Sequence, residues 1–333
     1  MSSQKKRIGV LTSGGDAPGM NAAVRAVVRT AVSQGIECIG IRRGWSGLIN
    51  SDFVRLGGSS VSHIINKGGT MLYTARSMEF MEREGREKAI RTCKLLGLDG
   101  IVAIGGDGTF RGALALSRQV AEEGQKLDVV GIPATIDNDI GCSHYTIGFD
   151  TACNTAIECI DRLRDTMQSH ERCSVVEVMG RHAGYLALYV GIAVGATAVL
   201  IPERTVDFEN DVVENIRRAR LAGSTHYMVV VAEGAGSAFE IAKRIQDEMG
   251  IDPRVTVLGH IQRGGSPTAR DRETASRMGY EAVQVLAQGK GNRIISSLDG
   301  RIVDLDMEEA LAMRKNFEMD RYDVLEALTN NGN

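Results

Sequence analysis

Short apolar runs alternate along the chain with longer stretches of helical periodicity, the pattern of parallel strands joined by crossover helices. Residues 8–11 read as a first strand. After a glycine-rich turn, residues 20–34 place Ala23, Val24, Val27, Val28 and Ala31 at helical spacing, and Gly35 ends that helix. Residues 36–41 follow as a second strand, with more predicted at 100–104, 129–133, 173–179, 197–201, 227–232 and 255–258, each near glycine, proline or polar breakers. That is too many βα units for one small sheet. A chain of 333 residues also exceeds the length of about 250–300 residues at which a single core stops growing. Two closely coupled α/β lobes are expected, with no low-complexity linker and no solenoid repeat.

Residues 183–201 carry no charge and approach the length of about 20 that spans a bilayer. Gly191 and Gly195 interrupt the run, and residues 197–201 read as a β-branched strand stopped by Pro202. A buried helix followed by a buried strand is the better reading, so no membrane partner is expected. With 43% hydrophobic and 24% charged residues and a net charge of −3, nothing draws the protein broadly to nucleic acid or anionic lipid. Any basic chemistry must be local. The six cysteines include no C-x-x-C pair, and a chain this large needs no disulfide staples. The first residues lack the apolar core of a signal peptide. Both observations point to the cytoplasm.

In open α/β sheets ligands bind beyond the carboxyl ends of the strands, and three of the predicted strands end in chemically loaded turns. The first is Thr12-Ser13-Gly14-Gly15-Asp16-Ala17-Pro18-Gly19, where glycines admit a phosphate to the backbone and the next helix offers its amides. A tight turn with no ligand would read the same way. The second, Gly105-Gly106-Asp107-Gly108-Thr109, adds a carboxylate suited to a phosphate-bound Mg²⁺. It matches neither the P-loop nor the G-x-G-x-x-G pattern. The third, Thr135-Ile136-Asp137-Asn138-Asp139, sets two carboxylates two residues apart. One can take a proton from an attacking hydroxyl while the other arranges metal or hydrogen bonds; an Asx-rich turn is the plain alternative. Arg76, Arg172, Arg181, Arg254 and Arg263 supply guanidinium groups that grip phosphate oxygens. Taken together they favour a site with a phosphorylated donor and a phosphorylated acceptor. Glu233, after an apolar run, is a candidate acceptor for a sugar hydroxyl.

The runs GVLTSGGDAPGMNAA from Gly9, GGDGT from Gly105, TIDNDI from Thr135, TIGFDTA from Thr146, VMGRHAG from Val178 and VLGHIQRGGSPT from Val257 resemble those of the bacterial ATP-dependent 6-phosphofructokinases over nearly the whole chain. The resemblance implies a cytoplasmic, Mg²⁺-dependent kinase of α/β fold, with two similar Rossmann-like lobes, mostly parallel sheets and crossover helices. Residues 1–148 plus 262–312 would form a larger ATP-binding lobe, and 149–261 plus 313–333 a smaller sugar-phosphate lobe. It also implies roles. Gly15, Arg76, Ser77, Gly106, Asp107, Gly108 and Thr109 would surround ATP, with Asp107 as the metal ligand. Asp137 would be the general base toward the 1-hydroxyl of fructose 6-phosphate, assisted by Thr135, Asp139, Arg76 and Arg181. Thr135, Asp137, Asp139, Met179, Gly180, Arg181, Glu233, His260 and Arg263 would line the sugar-phosphate site. Arg172 and Arg254 would reach in from a neighbouring subunit of a homotetramer.

Pyrophosphate-using relatives place aspartate where this chain has Gly108 and lysine where it has Ala134, so ATP is the expected donor and pyrophosphate the alternative. Arg25, Arg29 and Arg164 fit the family's effector site. Gly58, His63, Thr197, Ala222 and Ser224 depart from it, replacing a metal ligand and several charged residues. Feeble or absent regulation by ADP or phosphoenolpyruvate is expected, since each charge-assisted hydrogen bond is worth about 1.5–3 kcal/mol. A dinucleotide-binding oxidoreductase would need a G-x-G-x-x-G turn, which is missing. A non-catalytic subunit would be expected to lose Asp107, Asp137 or the arginines, and all are present.

Overall fold

The alternation of the sequence sorts into two sheets in the computed structural model, which describes residues 6–329. In chain order the strands are β1 (Arg7–Ser13), β2 (Glu37–Ile41), β3 (Phe53–Leu56), β4 (Gly100–Gly105), β5 (Asp128–Pro133), β6 (Cys173–Val178), β7 (Ala198–Leu200), β8 (Tyr227–Ala232), β9 (Arg254–Val257), β10 (Arg293–Leu298) and β11 (Arg301–Asp306). The chain divides into two units. One takes the described residues up to Thr135 with Ile140–Asp150 and Arg263–Lys315; the other takes Ile136–Asp139, Thr151–Gln262 and the described residues from Asn316 onward.

The first unit holds a seven-stranded sheet in the order β11-β10-β5-β4-β1-β2-β3. Its five inner strands run parallel, and β3 and β11 pair antiparallel at the two edges. Strands β1 and β4 are buried almost throughout, as expected when helices cover both faces. The helix Met20–Ser33 stops where the sequence predicts. Gly35 takes a positive φ of 71°, while the amide of Ile36 donates to the carbonyl of Ala31 and that of Gly35 to Val32, a Schellman closure. That helix packs against Ala269–Ala287 at a distance only glycine allows, because a Cβ on Gly279 would stand 2.6 Å from Cβ of Ala26 and 2.9 Å from the carbonyl oxygen of Ala23. In a separate core cluster of the same unit, Trp45 stacks on Phe80, with ring centroids 4.6 Å apart.

The second unit holds a four-stranded parallel sheet in the order β7-β8-β6-β9. Its core joins Val175, Val229 and Val231 to Val212, Ile216 and Ile245. The uncharged stretch is the helix Tyr185–Ala193 followed by β7, and among the described residues no helix is long and apolar enough to cross a membrane.

Both sheets have a switch point, where successive connections leave in opposite directions and open a crevice beyond the strand ends. In the first unit it lies between β1 and β4, since β2 and β3 extend one way and β4 and β5 the other. In the second it lies between β6 and β8, since the connection after β6 runs one way to β7 and that after β8 the other way to β9. The close helix pair supports a stability prediction. Gly279→Val should cost about 1–3 kcal/mol through overpacking and lower the thermal midpoint by several degrees in a melting experiment, whereas a surface glycine replaced in the same way should not.

Candidate active site

At the switch point of the first unit the turns after β1 and β4 are fastened together. Ser13 and Gly105 are register partners. A Cβ on Gly105 would stand 2.3 Å from the carbonyl oxygen of Ser13, so only glycine permits the approach. The hydroxyl of Thr109 donates to that carbonyl at 3.1 Å, and the amide of Ala134 donates to the carbonyl of Gly105 at 2.9 Å. The segment before Arg76 joins the cluster, because the hydroxyl of Thr74 donates to the carbonyl of Gly14 at 2.7 Å and that of Thr12 to the carbonyl of Tyr73 at 2.8 Å. Ser77 accepts from the amide of Phe80, which brakes the chain just beyond Arg76.

Asp107 opens the helix Asp107–Glu122, with Gly106 as an extended cap. A carboxylate in the first turn of a helix faces its positive end. Burial pushes the Asp107 carboxyl above the usual carboxylate range, and Arg111, 3.7 Å away, acts against that rise. A partly desolvated carboxylate gains from a cation. Among the described residues no group of three or more His, Cys, Asp or Glu side chains could hold a metal by itself. A lone carboxylate still fits Mg²⁺, which keeps most of its waters and takes one or two carboxylates together with phosphate oxygens. Gly106 and Gly108 have open space where a Cβ would be.

The turn after β5 carries the candidate base. Asp137 is buried, Asp139 is exposed, and Asn138 between them has a positive φ of 53°. Thr135, the last residue assigned to the first unit before the turn, accepts on its carbonyl from the hydroxyl of Thr146 at 2.6 Å.

In the second unit the carboxyl end of β6 is braced from two neighbours. Glu233, just past β8, accepts on Oε1 from the amides of Gly180 at 3.2 Å and Arg181 at 2.6 Å. Gln262 is wholly buried and accepts on Oε1 from the amide of Met179 at 2.9 Å. Held in this way, Arg181 adopts a positive φ of 56°, a conformation uncommon outside glycine. Met179, Gly180, Arg181 and Glu233 thus form one cluster within the unit, with His260 in the short helix Gly259–Arg263 after β9. Among the described residues the guanidinium groups of Arg76, Arg172 and Arg181 make no ion pair or hydrogen bond, although many other arginines here are paired.

Three groups of residues fall elsewhere. Arg263 belongs to the first unit and donates to the carbonyl of Asp16 at 3.1 Å, on the glycine turn after β1. Arg172 and Arg254 stand at the amino ends of β6 and β9, on the opposite side of their sheet from Arg181 and Glu233. Of the effector candidates, Arg25 and Arg29 sit on the helix Met20–Ser33 in the first unit, and Arg164 in the second donates to the carbonyl of Val194. Thr197, which stands where a metal-holding glutamate was expected, accepts on its hydroxyl from the amide of Met228 at 3.1 Å and so closes the sheet edge. Gln262 is a site residue that sequence reasoning missed. Its only signal was its position between His260 and Arg263.

The family model described as phosphofructokinase matches residues 7–286. A Clostridium botulinum (strain Hall) protein described as ATP-dependent 6-phosphofructokinase is 50% identical over 324 residues, which cover 97% of this chain and 99% of that protein. Among solved structures, phosphofructokinase from Saccharomyces cerevisiae superposes with a TM-score of 0.89 at 35% identity, covering 96% of this chain and 50% of that one, so the chain spans half the yeast protein's length. A pyrophosphate-dependent phosphofructokinase from Marinobacter aquaeolei superposes at 0.85 with 22% identity, covering 98% of this chain and 92% of that one; at that identity it is similar in fold alone. On the extent of these matches, the chain belongs to the phosphofructokinase family.

Proposed function

We propose that the chain is an ATP-dependent 6-phosphofructokinase that transfers the γ-phosphoryl group of ATP to the 1-hydroxyl of fructose 6-phosphate. The observation that carries this reading is the pair of phosphate-type turns at the switch point between β1 and β4, with one carboxylate at a helix start, in a chain half identical to proteins of that description.

The turns of Gly15 and of Gly106–Thr109, with Arg76 and Ser77, bind ATP. Asp107 would hold Mg²⁺, which when bound neutralises charge on the β- and γ-phosphates. Asp137 takes the proton of the sugar hydroxyl. As that proton leaves, a bond forms between the hydroxyl oxygen and the γ-phosphorus, the bond to the β–γ bridging oxygen breaks, and ADP departs. The guanidinium groups of Arg76 and Arg181 stabilise the developing charge. Thr135 and Asp139 assist the base. Met179, Gly180, Glu233, His260 and Arg263 bind the sugar phosphate.

Arg172 and Arg254 need a second copy of the chain. They lie at the amino ends of strands whose carboxyl ends carry the cluster around Arg181, and the six residues of β6 span roughly 20 Å at about 3.3 Å each. A guanidinium at one end does not serve a site at the other. A homotetramer with shared sites, working in the cytoplasm, accommodates both residues.

Pyrophosphate as donor has less support. Nothing lies within 4 Å of where a Cβ on Gly108 would be, so the folded chain would accept an aspartate there, and the glycine keeps space that an adenosine can use. Coupled assays with Mg²⁺ and fructose 6-phosphate should therefore give turnover with ATP and none with pyrophosphate. Turnover with pyrophosphate would overturn the donor, and silence with both would overturn the activity. Asp137→Ser should lower kcat by about 10²–10⁴-fold while fructose 6-phosphate still binds; near-normal kcat would remove Asp137 from the base role. With the hydroxyl of Thr197 committed to Met228, saturating ADP or phosphoenolpyruvate should shift half-saturation by fructose 6-phosphate less than about tenfold, a coupling below about 1.4 kcal/mol.

A further inference from the structure

Asp271, in the first turn of the helix Ala269–Ala287, has no exposed surface. A carboxylate withdrawn from water is costly unless it is hydrogen-bonded. Oδ1 of Asp271 accepts from the hydroxyl of Tyr145 and from the amide of Gly148 at 2.7 Å, and the helix start adds its favourable dipole. Burial, followed by the neighbouring Asp271 carboxylate, pushes the Tyr145 hydroxyl far above its ordinary range, so it stays a donor. The adjacent Arg270 lays its guanidinium 4.3 Å from the centroid of the Tyr145 ring and 3.9 Å from Asp150. Two consecutive helix residues therefore clasp the segment 145–150 from one side.

That segment supports the turn that carries the base. Thr146 donates to the carbonyl of Thr135, the amide of Ile147 donates to the carbonyl of Pro133 at 3.1 Å, and Ala134 bridges Ile147. The same contacts touch the nucleotide turn. A Cβ on Gly148 would stand 2.7 Å from Cβ of Ala17, and one on Gly19 would stand 3.5 Å from Cβ of Asp271. A carboxylate more than 120 positions away in sequence thus fixes where the turn beginning at Thr135 leaves β5.

We propose that Asp271 is a positioning residue for phosphoryl transfer, holding the Tyr145–Gly148 segment so that Thr135 and the base two residues beyond it keep their reactive geometry. The proposal rests on the reading of Asp137 as base. A misplacement of about 1 Å at a reacting group can cost about a hundredfold in rate, so the effect falls on the chemical step.

The test compares wild-type enzyme with Asp271→Asn, Tyr145→Phe and the double variant, by steady-state kinetics with ATP and fructose 6-phosphate, thermal melting, and hydrogen exchange of residues 143–150. Asp271→Asn should lower kcat about tenfold or more with both KM values within about threefold. Tyr145→Phe, the milder change, should lower kcat less, and the double variant should fall no further than Asp271→Asn, since both residues act through one contact. Amide exchange in residues 143–150 should quicken. A lower melting temperature with unchanged kcat in both single variants would reduce Asp271 to a structural residue and overturn the proposal, as would an effect confined to KM for ATP. Inactive wild-type enzyme would instead overturn the activity reading, and unchanged exchange in the variants would then overturn the hold of Asp271 by itself.

Discussion

The first unit depends on one close approach, that of Gly105 to the carbonyl of Ser13 at the ends of β4 and β1. Where strands run out, their last carbonyls and amides lose sheet partners and must find others. Threonine hydroxyls take up the carbonyls here: Thr109 that of Ser13, Thr74 that of Gly14, Thr12 that of Tyr73 and Thr146 that of Thr135. With carbonyls tied inward, amides of the glycine turns remain for an anion, the condition under which a backbone concavity binds phosphate.

The second unit meets the same problem with the opposite polarity. At the end of β6 it is amides that are tied, those of Met179, Gly180 and Arg181, by the acceptors of Gln262 and Glu233. What projects there is the side chain of Arg181, on a residue held in a left-handed conformation. On the proposed reading, one unit offers backbone to the phosphate chain of the nucleotide and the other offers a guanidinium and carboxylates to the sugar phosphate. Two Rossmann-like sheets with the same switch-point logic become chemically different through which half of the peptide group is satisfied.

This difference separates what was legible in the sequence from what was not. The inner strands were legible because buried parallel strands are nearly continuous apolar runs rich in β-branched residues, as in β4, β6 and β8. The strands β3, β10 and β11 were not. β3 is four residues long and mostly solvent-facing, β10 is diluted by Ser296 and Ser297, and β11 alternates with acidic residues and is only partly buried. The loaded turns were legible because ligands follow strand ends. The residues that brace them were hidden, since Gln262 and Asp271 act on partners 83 and 126 positions away, and no local pattern encodes such a contact. Arg263 takes its sugar-phosphate role from the family resemblance, and no local pattern encodes its bond to the carbonyl of Asp16.

Packing also divides the glycines of the first unit into two kinds. Gly131 is demanded by the fold, for a Cβ would meet the Phe110 ring at 2.6 Å, and Gly112 is favoured by it, with a Cβ 3.0 Å from the Trp45 indole. Gly106 and Gly108 have nothing within 4 Å; Gly106 caps the helix Asp107–Glu122 and Gly108 is its second residue. Gly108 relieves no contact in the folded chain. The space it keeps lies beside the Asp107 carboxylate, at the switch point of the larger sheet. On the proposed reading, that space is where the nucleotide fits.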